Sequence, residues 1–201
     1  MNRRVIHSFF KNLDARLGAP SRVILTGAAC GSLMGHIRPS LDIDFEIRLK
    51  SRRRIGAEEL DRAAREAARA CGVAVNYSTD ISRWSMVDYL DYRKTAVPYR
   101  KFGKCEVRLI APAYWTIGKM TRFLEPDVQD MIKIIRTKRI PAEQLLRLWN
   151  RALRSSDLSA EARLFRDHVR SFIRTHARSA WGRTTRPDEL LTQFNRLIQK
   201  H

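Results

Sequence analysis

Two carboxylates separated by one residue are the clearest candidates for chemistry in this 201-residue sequence. Asp42 and Asp44 lie within residues 41–49, where apolar side chains alternate strictly with charged ones. This alternation predicts a strand that carries both carboxylates on one face. Hard oxygen ligands on a shared face can hold Mg²⁺, and two such ions can clamp a triphosphate and an attacking hydroxyl. The pair therefore indicates a metal site, against the simpler alternative of a solvated strand face.

The segment before this strand has the features of an anion site. It reads as a short strand over residues 21–26, a turn at Gly27, a short helix and a loop. A glycine permits a tight turn and a close approach of the backbone to a ligand. The helix that follows would present its free N–H groups and positive dipole end to phosphate. In the loop, Arg38 and Ser40 are placed either to contact phosphate or only to order the chain, with Ser40 as a local cap.

These residues carry a resemblance to a known family. The first string is Gly27-Ala-Ala-Cys, and the second is Arg38-Pro-Ser-Leu-Asp-Ile-Asp. Together they resemble the nucleotidyltransferase superfamily of DNA polymerase β, most of all its AbiEii-type and related bacterial members. A later family motif, a Lys, an Arg and a paired Asp-x-x-Asp, resembles Lys119, Arg122, Asp127 and Asp130. The resemblance covers roughly residues 20–137.

The resemblance implies a magnesium-dependent transfer of a nucleotide from an NTP to an acceptor hydroxyl, with two Mg²⁺ ions. By the same resemblance, Asp42 and Asp44 are metal ligands and catalytic residues. The phosphate turn would be lined by Gly27, Ala28 and Ala29, with phosphate contacts from Arg38, Ser40 and Lys119. The family also contains toxins of toxin–antitoxin pairs, so an antitoxin partner is expected by analogy.

The third catalytic carboxylate of the superfamily usually lies on a later strand. The matching strand here is predicted over residues 105–110, and it carries Arg108 where an acid is often found. Glu106, two residues earlier on the same strand face, is the candidate third ligand and base, and Asp80 is another acid to consider. If none of them reaches the site, the chain is a catalytically silent nucleic-acid-binding protein on the same fold. Enzyme and silent binder therefore remain the two leading hypotheses.

The charge balance favours a polyanionic partner. The chain has 39 Lys and Arg residues against 21 Asp and Glu residues, a formal net charge of +18. Such a balance suggests RNA, for example tRNA, as the acceptor, although a GC-rich genome also enriches Arg. The basic run at residues 48–54 is either a solvated edge or an RNA guide. A small-molecule nucleotidyltransferase acting on a cationic acceptor, such as an aminoglycoside, is less favoured by this charge.

The remaining composition indicates a cytoplasmic protein. The three cysteines are widely spaced and form no Cys-x-x-Cys pair, which supports neither a disulfide framework nor a zinc site. No apolar run approaches the ~18 residues of a transmembrane helix, so no membrane partner is expected. Residues 2–17 read as an amphipathic helix instead of a signal peptide.

The elements together predict an α/β fold of the α+β kind. Residues 1–138 are expected to form a small mixed β-sheet with flanking helices, which by resemblance is the nucleotidyltransferase fold. Residues 139–201 are expected to form a basic helical C-terminal region of about three helices. Asp127 and Asp130 fall in the first turn of a predicted helix, where acids suit the helix dipole, so a structural role is expected for both.

Overall fold

The computed structural model describes residues 1–35, 42–50 and 55–199. Two predicted phosphate contacts, Arg38 and Ser40, lie outside these residues, as do residues 51–54 of the basic run. The helices are α1 (Arg3–Leu17), α2 (Gly27–Gly35), α3 (Ala57–Cys71), α4 (Tyr92–Thr95), α5 (Pro112–Arg122), α6 (Glu125–Lys138), α7 (Ala142–Arg154), α8 (Ala160–Trp181) and α9 (Pro187–Gln199). The strands are β1 (Ser21–Thr26), β2 (Asp42–Leu49), β3 (Ala74–Ser78), β4 (Val97–Phe102) and β5 (Cys105–Leu109).

The strands form one mixed sheet in the order β3-β2-β1-β5-β4. The central strand β1 runs antiparallel to β2 and parallel to β5. The outer strand β3 is parallel to β2, and the outer strand β4 forms an antiparallel hairpin with β5. This mixed sheet with flanking helices, followed by a helical C-terminal part, confirms the predicted α+β fold class.

The alternation in β2 divides its side chains between two environments. Ile43, Phe45 and Ile47 are buried, and the Phe45 ring lies 5.7 Å and 6.0 Å from the rings of Phe9 and Phe10 in α1. Burying large aromatic rings in this way is strongly favourable. Because successive side chains point to opposite faces, the acidic residues of β2 are all held on the other face of the sheet.

The chain divides into two compact units. The first comprises Met1–Ile81 and Arg93–Ala111, and the second comprises Ser82–Tyr92 and the chain from Pro112 onward. The sequence prediction put the division at 138/139, whereas α5 and α6 belong with the later helices because they share a core. The indole Nε1 of Trp149 in α7, for example, donates a hydrogen bond of 3.0 Å to the buried hydroxyl of Thr116 in α5.

Within the described ranges, no helix combines the length and the apolar character that crossing a membrane requires.

Candidate functional site

Asp42 and Asp44 lie together at the beginning of β2, and both are half-buried. In the sheet, Asp44 is opposite Thr26 of β1 on one side and Asn76 of β3 on the other. The Asn76 side-chain amide donates to Asp44 Oδ1 at 2.9 Å and lies 3.5 Å from Asp42 Oδ2. One amide group therefore holds both carboxylates on the same face of the sheet.

Gly27 directly follows β1 and packs against the Asp44 carboxylate. Its φ of +62° lies in the left-handed region, which favours glycine. A Cβ atom at this position would lie only 2.8 Å from Asp44 Cγ and 2.9 Å from Asp44 Cβ. The position therefore requires glycine for two reasons, its backbone conformation and the close approach of the carboxylate.

The beginning of α2 coincides with this contact. Helix α2 starts at Gly27 itself, so the N–H groups of its first turn and its positive dipole end belong to the same corner of the sheet as Asp44. Ala28 and Ala29 are both buried, which leaves their backbone as the means of contacting a ligand. Burial also raises the pKa of the neighbouring Cys30 thiol far above its ordinary value, so Cys30 stays protonated.

The donor set at this corner suits Mg²⁺. The carboxylate oxygens of Asp42 and Asp44 are hard ligands, they share one face, and they are half-exposed instead of sealed in the core. Across residues 1–35, 42–50 and 55–199, no group of three or more His, Cys, Asp or Glu side chains has the arrangement of a metal site. The described site is thus a pair of carboxylates.

The structure does not bring Glu106 to this pair. Glu106 is opposite Arg22 of β1, whereas Asp44 is opposite Thr26, four residues further along the same strand. Four residues correspond to about 13 Å along a strand. Glu106 Oε2 instead accepts hydrogen bonds from Lys50 Nζ at 2.8 Å and from Arg22 Nε and Nη2 at 3.2 Å. The hydrogen bond from Lys50, followed by that from Arg22, lowers the Glu106 pKa below its ordinary value.

Asp80 was the other acid considered for this role, and Arg108 stands where an acid is often found. Asp80 Oδ1 lies 3.2 Å from Arg93 Nη2, just beyond the end of β3. Arg108 is opposite Ile24, and its buried Nε has no hydrogen-bond partner among the residues that the structure describes. Asp80 is thus bound by Arg93, and Arg108 brings no carboxylate to this face of the sheet.

A third acid on the same face of β2, Glu46, was not singled out by the sequence analysis. It is 1% exposed and is bound by Arg93, whose Nε and Nη2 lie 2.7 Å and 2.9 Å from the two carboxylate oxygens. The backbone N–H of Ile81 also donates to Glu46 Oε2 at 3.4 Å. Its spacing of two residues from Asp44 was the sequence signal that could have identified it. The bidentate contact with Arg93 indicates a structural role for Glu46.

The bridging amide of Asn76 was also missed. Asn76 lies near the end of the mostly apolar run of residues 73–77, and strands tolerate Asn poorly. A polar residue with low strand propensity was the signal, although its pairing with Asp44 depends on the register of two strands that are distant in sequence.

Lys119 belongs to a separate, buried cluster in the second unit. Its ammonium is 2.8 Å from Asp127 Oδ1 and 2.6 Å from Asp130 Oδ2, and its side chain is 3% exposed. Arg122 also binds Asp127, with Nη2 2.7 Å from Oδ1. The ammonium is directed at two carboxylates inside the unit, which agrees with the structural role expected for Asp127 and Asp130.

Comparison of the chain with protein-family models, with curated proteins and with solved structures found no match in any of the three. The functional interpretation therefore depends on the resemblance of the sequence motifs and on the geometry around Asp42 and Asp44.

Proposed function

We propose that the chain is a magnesium-dependent nucleotidyltransferase that moves a nucleotide from an NTP to an acceptor hydroxyl on RNA. The observation that carries this proposal is the pairing of Asp42 and Asp44 by the Asn76 amide, directly against Gly27 at the start of α2. This corner joins metal ligands to a backbone suited to phosphate. The motif resemblance supports the same reaction.

Different residues of the chain have different roles in the proposed reaction. Asp42 and Asp44 would hold Mg²⁺, which when bound neutralises triphosphate charge and polarises the α-phosphorus. The first-turn N–H groups of α2 bind the phosphate chain, and Asn76 keeps the two carboxylates in place. The acceptor oxygen forms a bond to the α-phosphorus while the bond to the bridging oxygen breaks and pyrophosphate leaves. The acceptor proton passes to one of the two carboxylates.

The proposed acceptor is based on the charge of the chain, and the proposed partner and cellular location are based on the motif resemblance. A net charge of +18 favours RNA, for example tRNA, over a cationic small molecule. The resemblance extends to toxins of toxin–antitoxin pairs, so an antitoxin that blocks the site and a cytoplasmic location belong to the same proposal.

A specific observation favours a second candidate, a catalytically silent RNA-binding protein on the same fold. Glu106, the candidate third ligand, is held by Arg22 and Lys50 at the other end of the sheet face. With only Asp42 and Asp44 gathered among the residues described, the chain would then bind RNA through its basic surface without transfer. This binding would depend steeply on salt and would be indifferent to Mg²⁺.

The deciding experiment incubates the purified protein with each α-³²P-labelled NTP, Mg²⁺ and total tRNA. The D42N/D44N variant is the test, and D188N/E189Q, which neutralises two exposed acids in α9, is the matched control. Label that reaches RNA with the wild type and the control, but not with D42N/D44N, supports the enzyme. Label that still reaches RNA with D42N/D44N would contradict the proposed role of Asp42 and Asp44.

Two further outcomes have distinct meanings. Label on the protein itself would contradict an RNA acceptor and identify a protein acceptor. Absence of transfer with every NTP, together with salt-sensitive RNA binding that survives D42N/D44N, would identify the silent binder.

A further inference from the structure

The sheet face that carries Asp42 and Asp44 becomes basic at its other end. Arg48 of β2, Arg22 of β1, Glu106 of β5 and Lys101 of β4 are opposite one another in the strand register. Directly paired residues project from the same face of a sheet, so these four side chains form one row across four strands. Lys50, two residues after Arg48, reaches the same row through its contact with Glu106.

Two cations of this row share the carboxylate of Glu106. Lys50 and Arg22 both bind the same oxygen, Glu106 Oε2, at 2.8 Å and 3.2 Å. Arg48 is directed at Glu46 Oε1, 3.2 Å away, which Arg93 already binds. The side chains of Lys50 and Arg22 are 42% and 41% exposed, while that of Glu106 is 25% exposed. The charged heads are therefore accessible from solvent.

The charge of the row is unbalanced. Arg22, Arg48, Lys50 and Lys101 (hereafter the basic row) carry four positive charges, against one negative charge on Glu106. Arg22 and Arg48 are like charges at directly opposed strand positions and repel one another, so this pair is not favoured by sheet stability alone. A bound polyanion would relieve the repulsion, and Arg and Lys are the side chains that contact phosphate most often.

We propose that the basic row binds the phosphodiester backbone of a single-stranded RNA segment, and that Glu106 occupies a phosphate position in the free protein. The two ends of the face are about 13 Å apart along β1. An RNA end at Asp42 and Asp44 would therefore extend over the basic row. This inference rests on the proposed function for the choice of RNA. It specifies the part of the sheet face over which the RNA acceptor would lie.

The test measures binding of a fluorescein-labelled 20-nucleotide single-stranded RNA by anisotropy over a range of salt concentrations. Mg²⁺ and NTP are omitted, so that the result does not depend on transfer. The variant R22Q/K50Q/K101Q removes three charges from the basic row. We expect the slope of log K against log salt to decrease by about 2, because each single-strand phosphate contact contributes about 0.7. The control R174Q/R178Q/R183Q removes three exposed charges from the second unit and should leave most of the slope.

The variant E106Q provides the more specific test, because it should strengthen RNA binding. Removing the carboxylate frees Lys50 and Arg22 for phosphate, and we expect RNA affinity to rise about threefold to fivefold, the range of an exposed ion pair. The control E189Q breaks an exposed pair between Glu189 in α9 and Arg186 just before it, with the same change of charge. Equal effects of E106Q and E189Q, or equal losses of slope in the two triple variants, would overturn the proposal. Circular dichroism verifies folding of each variant.

Transfer activity is a separate readout. Loss of the proposed reaction leaves the binding experiment valid, since no nucleotide is present. Retention of transfer with an unchanged binding slope in R22Q/K50Q/K101Q would contradict the basic row while leaving the proposed function intact.

Discussion

Two pairs of aspartates in this chain look alike in sequence and differ in their surroundings. Asp42 and Asp44 lie on a strand, are half-buried, and share the neutral amide of Asn76. Asp127 and Asp130 lie on a helix, are 1% and 4% exposed, and share the ammonium of Lys119. Both spacings, two on a strand and three on a helix, place the carboxylates on one side of the element.

The difference lies in the chemical nature of the shared group. A buried ammonium cancels carboxylate charge and fixes the pair as part of the core, and removing it would leave buried charge. The Asn76 amide orders two carboxylates through hydrogen bonds and is itself uncharged. Spacing therefore identifies a pair, and the shared partner distinguishes the buried ion cluster of Asp127 and Asp130 from the half-exposed pair for which we propose a chemical role.

The largest expected effect comes from K119M. This substitution would leave Asp127 and Asp130 buried beside an uncharged side chain. We expect the free energy of unfolding to fall by about 3–5 kcal/mol, as is usual when one partner of a buried ion pair is removed. Urea unfolding measures the loss, with K138M at the exposed end of α6 as the control. Similar stabilities for K119M and K138M would show that the buried pair is not held by charge.

The next effect tests the close approach at Gly27. In G27A, the new methyl group must displace the Asp44 carboxylate, and the alanine backbone must adopt a left-handed φ. The control is G72A, at φ +63° with no atom within 4 Å of the added Cβ, so it measures the conformational cost alone. We expect G27A to be about 1–3 kcal/mol less stable than G72A, the usual range for overpacking. We also expect a loss of nucleotide transfer. Equal stabilities would contradict the crowding.

For D42N/D44N, we expect a small effect on stability and a large effect on activity. Neutralising two half-exposed carboxylates should change the free energy of unfolding by no more than about 0.5 kcal/mol. Transfer should fall at least about a hundredfold, more than the 10–100-fold typical of groups that only orient metal ligands. Unfolding and ³²P transfer are measured on the same preparation. A loss of several kcal/mol would place this pair with Asp127 and Asp130 as structural residues.

Much of the fold was predictable because it depends on local patterns. The alternation over residues 41–49 predicted a strand that the structure gives as Asp42–Leu49. The apolar periodicity over residues 2–17 predicted a helix that the structure gives as Arg3–Leu17. Strand β4 offers no strong apolar pattern from which to predict a strand, because it is an edge strand with mostly exposed side chains.

The site was predictable only in its local part. The shared face of Asp42 and Asp44 follows from a period of two within one strand. The bridge from Asn76 and the displacement of Glu106 depend on strand register between segments more than 30 residues apart. Alternation shows which face Glu106 occupies, but not which row of that face. The same limit explains why Glu46 was not recognised as the partner of Arg93.

The smallest expected effect comes from Glu106, an acid with cationic partners that is not buried as deeply as Asp127. Lys50 and Arg22 hold the Glu106 pKa below its ordinary value of 4.5. A carboxyl whose pKa is lowered in the folded state stabilises the fold above its ordinary pKa, and it loses that contribution as pH falls through the folded value. We expect E106Q to be less stable than the wild type at pH 7 by at most about 1 kcal/mol, because the pair is partly solvated. Urea unfolding from pH 7 downward should show the two stabilities converging below pH 4.5. A loss of stability in E106Q as large as that in K119M, or one that persists in acid, would contradict this expectation. The partly exposed Glu106 pairs and the buried Lys119 pairs would then contribute equally to stability.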